Sequence, residues 1–120
     1  MNPFYTVVEL MLTDQNLTAK TEIDKTHRIF QGHFPSKPVL PGVCQIQMVS
    51  EILEGALKKP LLLNKASRIK FARLVDPNDN AELLIEVKYS VLENAVNVSA
   101  SAKHMSAECF SMKATYLVIG

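Results

Sequence analysis

This sequence is poor in the features that mark several functional classes. Its 120 residues include only two cysteines, Cys44 and Cys109, far apart in the chain. One pair could close a bridge, but two lone cysteines are more often buried thiols of a reducing compartment. Neither sign of charge is in excess: 13 Lys and Arg stand against 12 Asp and Glu, a formal net charge of +1. That balance gives no global reason to expect nucleic-acid or membrane partners. No apolar run approaches the roughly 20 residues of a membrane span. The opening Met1-Asn2-Pro3-Phe4-Tyr5 lacks the basic start of a signal peptide. The expectation is a full-length cytoplasmic protein without a targeting segment. Gly-rich phosphate loops, zinc-ligand spacings, repeats, low-complexity stretches and linkers are also missing.

What remains is a globular composition, 48% hydrophobic and 21% charged, of a length that suits one domain over residues 1–120. Residues 5–12 are apolar and β-branched and read as a strand, closed by the turn signal Asp14-Gln15-Asn16. Leu17, Ala19, Thr21 and Ile23 alternate with polar neighbours in a second, half-exposed strand, and residues 24–30 are expected to continue extended. A helix is predicted over residues 43–57, with Gly55 and Pro60 marking its end. Gln47, Ser50, Glu51, Glu54 and Lys58 share one arc of it. Ile46, Met48, Val49, Ile52, Leu53, Ala56 and Leu57 cover the rest, with Gln45 alone among them. So wide an apolar arc predicts a helix wrapped by its surroundings. Strands follow over residues 68–74, 83–91, 96–102 and 110–118, the last with Phe110, Met112, Ala114, Tyr116 and Val118 on one face. Turns fall at 76–80, 93–94 and 103–106. Strands on both sides of a lone helix predict an α+β fold with an antiparallel sheet.

Between the second strand and the helix lies the most distinctive stretch, Phe30-Gln31-Gly32-His33-Phe34-Pro35-Ser36-Lys37-Pro38-Val39-Leu40-Pro41-Gly42-Val43. Three prolines in seven residues fix their own φ and push Phe34, Lys37 and Leu40 into extended backbone. The result is a stiff arm that presents His33 in a set direction. Pro41-Gly42 then opens the helix, whose first N–H groups are unpaired and carry partial positive charge. An imidazole, a rigid spacer and an anion-attracting helix end within ten residues could polarise a carbonyl and move a proton beside it. The Gly42 N–H can meet a developing enolate oxygen, and the missing side chain permits close approach.

The run Gly-His-Phe-Pro, two residues, Pro-Val-Leu-Pro-Gly-Val resembles the signature of the 3-hydroxyacyl-thioester dehydratases of fatty-acid synthesis, a hotdog-fold family acting on acyl carrier protein. The likeness extends more weakly over residues 19–30 and 70–89. It implies an antiparallel sheet wrapped around one long helix, a homodimer or larger homo-oligomer, and an acyl chain along the subunit interface. It implies that His33 removes the C2 proton, and that the N–H groups of Gly42 and Phe34 hold the thioester oxygen. No cofactor is implied, since α,β-elimination needs none.

One position departs from that pattern. The family places Glu or Asp fourteen residues after the histidine, where this chain has Gln47, and usually Gln one helical turn later, where this chain has Glu51. An amide cannot deliver a proton as a carboxylic acid does. Residues four apart share a helix face but are displaced by about 6 Å. Three arrangements follow: Glu51 acts as the acid with Gln47 orienting the hydroxyl, His33 or a water serves both proton steps in a slow enzyme, or catalysis is lost and acyl-chain or partner binding remains. A thioesterase on the same fold is a further alternative. The same polar arc could equally be a solvated helix face.

Other polar residues have plainer expectations. Cys44 is read as a small buried hydrophobe. His27 and His104 are placed at the surface. Gln45 either lines the acyl tunnel or meets polar groups across a subunit boundary. Lys58, Lys59, Lys65, Arg68, Lys70 and Arg73 concentrate positive charge. Lys70 and Arg73, in a Lys-Phe-Ala-Arg run like the family's, are candidates for docking the acidic carrier protein, or form an ordinary solvated strand face.

Overall fold

The computed structural model describes residues 3–30 and 38–119. Six strands form one antiparallel sheet: β1 (Tyr5–Thr13), β2 (Asn16–Ile23), β3 (Leu61–Phe71), β4 (Glu82–Leu92), β5 (Ala95–His104) and β6 (Ala107–Val118). Their order across the sheet is β1-β2-β4-β5-β6-β3. Among the described residues, one long helix, α1 (Gly42–Leu57), lies in the sheet's embrace. This is the hotdog architecture that the proline-rich motif implies.

Local chemistry sets these elements. Hairpins β1–β2, β4–β5 and β5–β6 turn through Gln15, Glu93 and the pair Met105-Ser106, all at positive φ. Period-two alternation then sends one set of side chains to the helix. Leu17, Ala19, Thr21 and Ile23 of β2, Leu83, Ile85 and Val87 of β4, Val96, Val98 and Ala100 of β5, and Phe110, Met112 and Tyr116 of β6 are buried. Thr21 satisfies its hydroxyl by donating to the Leu83 carbonyl at 2.7 Å. Met48, Val49, Ile52 and Leu53 are the helix's share of this core. Each such side chain contributes about 1.5–3 kcal/mol relative to exposure. Helix α1 starts after Pro41, whose φ of −60° and ψ of 145° end the extended arm. It ends at Leu57, as predicted, where Lys58 takes the left-handed conformation and donates its N–H to the Glu54 carbonyl at 2.9 Å. Gly55 lies within the helix, two residues before its last residue.

Three local expectations fail. Residues 24–30 do not continue extended. The Asp24 carboxylate accepts the Thr26 N–H (3.0 Å) and hydroxyl (2.6 Å), and Arg28–Phe30 closes a 3-10 turn. Short polar side chains here compete with the strand ladder for the backbone. The strand expected at 68–74 begins seven residues earlier and ends at Phe71, because Leu61 already pairs with Val118. Its register shifts between Ser67 and Lys70, around Arg68 at φ 52°, which blurs the alternation. His104 is buried, not surface-lying; its Nε2 lies 2.8 Å from the Asn80 carbonyl, closing the loop before β4 onto the end of β5.

Candidate active site

Helix α1 brings its polar arc to the start of β1 and to the segment that leads into the His33 arm. Gln47 and Glu51 line a cavity of about 950 Å³, together with Cys44, Phe4, Tyr5, Asp24 and residues 26–29. Residues 31–37, with His33 and Phe34, lie outside the described part of the chain. The described segments on either side of them are anchored. Phe30 is buried and bonds its N–H to the His27 carbonyl, and Leu40 is buried and donates to the Val75 carbonyl at 2.8 Å.

Gln47 and Glu51 are brought together, and a residue that sequence reasoning passed over joins them. Tyr5 donates its hydroxyl to Glu51 Oε1 at 2.8 Å, and Gln47 Nε2 donates to Glu51 Oε2 at 2.9 Å. Both carboxylate oxygens therefore act as acceptors. Because a carboxylate can only accept, the Gln47 amide turns its nitrogen toward Glu51, which leaves its carbonyl oxygen as the acceptor it can offer a ligand. Desolvation by burial, followed by the bond to Glu51 and its charge, pushes the Tyr5 phenol well above the ordinary tyrosine range. Tyr5 is held by pairing with Ile23 and by its ring against Phe4, at 5.0 Å between centroids. The only sequence signal for it was an aromatic residue at the head of a strand, which by itself says nothing about a partner 46 positions away.

Along the rest of the arc Ser50 and Glu54 are half-buried and engaged, whereas Lys58, like Gln47 and Glu51, is exposed. Ser50 meets the Tyr116 hydroxyl at 2.7 Å, and Glu54 accepts the Leu61 N–H at 2.8 Å. His27 is half-buried at the cavity, its Nδ1 accepting the Ile29 N–H at 3.1 Å, against the expectation of a surface residue. Gln45 is 2% exposed and accepts the Cys109 thiol at 3.7 Å. Its partner is thus in its own core. Cys44 is buried as expected, and desolvation raises the pKa of both thiols, which keeps them protonated and poorly nucleophilic.

Gly42 stands at the start of α1, where a Cβ would fall 2.7–2.8 Å from ring atoms of Phe71. Phe71 stacks on Phe110 at 5.4 Å and remains half-exposed. Any larger residue here would force that half-exposed ring to shift. Lys70 and Arg73 flank Phe71 and are exposed, as are Lys58, Lys59, Lys65 and Arg68. Among the described residues no cluster of three His, Cys, Asp or Glu is placed to hold a metal ion, and no helix is long and apolar enough to cross a membrane.

Comparison with known proteins identifies the family and the fold. The chain is 38% identical over 68 residues to the 3-hydroxyacyl-[acyl-carrier-protein] dehydratase FabZ of Clostridium acetobutylicum, covering 50% of this chain and 48% of that protein. It is 27% identical over 118 residues to FabZ of Rickettsia typhi, covering 89% and 78%. The chain thus spans about half the length of the first relative and most of the second. In three dimensions it is similar to a chain of the dehydratase heterocomplex ApeI:P from Xenorhabdus doucetiae, with a TM-score of 0.76 at 21% identity over 98% and 99% of the two chains. A hypothetical thioesterase with coenzyme A from Streptococcus pneumoniae shares the fold at a TM-score of 0.69 and 11% identity, over 97% and 89%. The family model described as ApeI-like, ApeI dehydratase, matches residues 9–112. With most of its length inside that match, the chain belongs to the ApeI-like dehydratase family.

Proposed function

We propose that this protein is a hydro-lyase that reversibly dehydrates a 3-hydroxyacyl chain carried on acyl carrier protein to the trans-2-enoyl thioester, in fatty-acid or related lipid or polyketide synthesis in the cytoplasm. The observation that carries this reading is the cavity itself. Its wall on one side is the Gln47–Glu51 face of α1, and on the other the segment that delivers the Gly-His-Phe-Pro arm. His33 takes the C2 proton, while the N–H groups of Gly42 and Phe34 hold the thioester oxygen as negative charge develops on it. The C3–O bond then breaks, and the hydroxyl leaves as water with the proton that His33 returns. Gln47 accepts a hydrogen bond from the 3-hydroxyl and orients it. The two donors on Glu51 favour an anchoring role for this carboxylate over the acid role that the family pattern assigns to its neighbourhood. If Glu51 is nonetheless the acid, Glu51→Gln lowers kcat by about 10²–10⁴; an anchor loses about tenfold.

The active form in this reading is a homodimer, supported by the apolar edge of the sheet. Leu62, Leu63, Ile69 and Phe71 of β3 are all exposed, on an edge strand that invites pairing. A monomer by light scattering counts against it, and a requirement for a different chain would point to a heteromer. The test of function is purified protein with 3-hydroxyacyl carrier protein, read by mass for the enoyl product. Wild type is expected to form it, and His33→Ala to lose about 10²–10⁴ in rate. Free thiol release would instead mark a thioesterase, and carrier binding without turnover, indifferent to His33→Ala, would mark a non-catalytic binder.

A further inference from the structure

A second hydrogen-bond donor beside the acid position has no counterpart in the motif that marks this family. Tyr5 reaches Glu51 from a different element, β1, across 46 residues. It touches the carboxylate oxygen that Gln47 does not. We propose that Tyr5 is a positioning residue of this site: by donating to Glu51 Oε1 it holds the carboxylate that orients the Gln47 amide toward the 3-hydroxyl of the substrate.

Three observations carry the argument, which rests on the dehydratase reading above. First, a glutamate on an exposed helix face has three rotatable side-chain torsions, and a single bond to Gln47 one turn away would leave it mobile. A second bond from another element fixes it in one rotamer. Second, Tyr5 is itself braced, through its ring against Phe4 and the Phe4 ring edge-on to His27 at 6.2 Å. Third, burial raises the phenol's pKa, so it stays protonated and remains a donor through the whole range in which an enzyme of this kind would work. Among the described residues, the charged and titratable groups that share the cavity with the pair are Asp24, His27 and Arg28 from the segment after β2 and Cys44 from α1. The Asp24 carboxylate is already occupied by Thr26.

The experiment is a double-mutant cycle read in kcat and KM, with a spectroscopic arm. Tyr5→Phe keeps the ring and its packing on Phe4. It is expected to lower kcat about tenfold or more with KM within about twofold, as loss of one hydrogen bond to a charged group implies. In a Glu51→Ala background the same change is expected to have no further effect, because Tyr5 acts only through Glu51. A merely structural role for the ring would leave the two losses additive. Independently of turnover, the 13Cζ resonance of Tyr5 is expected to shift in Glu51→Ala while that of Tyr89 does not. Wild-type kcat in Tyr5→Phe, additive losses, or an unmoved Tyr5 resonance would each overturn the proposal. Absence of turnover in wild type would count against the dehydratase reading instead. The resonance shift would then decide by itself whether Tyr5 grips Glu51.

Discussion

At the scale of single residues, the site turns on what stands at position 47 and what stands at 51. Relative to the pattern that the resemblance implies, an exchange of Gln and Glu at these positions was legible in the chain as written. Its consequence was not, because a carboxylate's role depends on what donates to it, and one donor, Tyr5, comes from a remote strand. The exchange makes a direct prediction. Gln47→Glu places a carboxyl group where the family pattern has one, a turn from Glu51, and two carboxylates that close share a proton. That proton is then available to the leaving hydroxyl, and kcat is expected to rise about tenfold or more. Steady-state rates on one 3-hydroxyacyl carrier substrate would check this, and an unchanged rate would mean that no acid is missing.

Among the elements, α1 and β3 carry most of the proposed function. Helix α1 was readable almost to the residue from its apolar period. Its wide apolar arc announced that it would be wrapped, and Met48, Val49, Ile52 and Leu53 are buried accordingly. Strand β3 was read too short, since a bulge at Arg68 breaks its alternation. Its C-terminal end nevertheless assembles three things. Phe71 closes over Gly42, and Lys70 and Arg73 stand exposed beside it. If this end receives an acidic carrier protein, Lys70→Glu with Arg73→Glu is expected to raise KM for the carrier-bound substrate about tenfold. KM for the same acyl chain on a small uncharged thiol should not move. Both substrates can be compared in one kinetic series, with added salt weakening only the first. Equal KM changes on both would mean that the strand end shapes the acyl site instead of docking a carrier.

For the whole molecule, the buried acids set a pH limit on stability. The thiols of Cys44 and Cys109 and the phenols of Tyr5 and Tyr116 all have raised pKa values, chiefly from desolvation. A group raised in the folded state binds more protons there than in the unfolded chain. Its stabilisation is complete below the unfolded pKa and is lost as pH rises through the folded one. Stability is therefore expected to decline above about pH 8.5, where unfolded thiols ionise, and more steeply above about pH 10, where phenols do. Denaturant midpoints from pH 7 to 11 would measure it, and a flat profile would show that these groups are solvated in solution. A thiol reagent is expected to label both cysteines only on unfolding.

The chain alone determined the kinds of element, the length of the helix and the alternating core faces of four strands. Those depend on backbone geometry and on the period of apolar residues, which are local properties. Only the tertiary structure decided that Tyr5 grips Glu51, that Gln45 finds Cys109, that Ser50 meets Tyr116 and that His104 is buried. Each of these is a polar group choosing a partner far along the chain. Hydrophobic burial rewards any apolar neighbour and so shows in a pattern, whereas a hydrogen bond demands one atom within about 3 Å, and that is set by how the sheet curls around the helix.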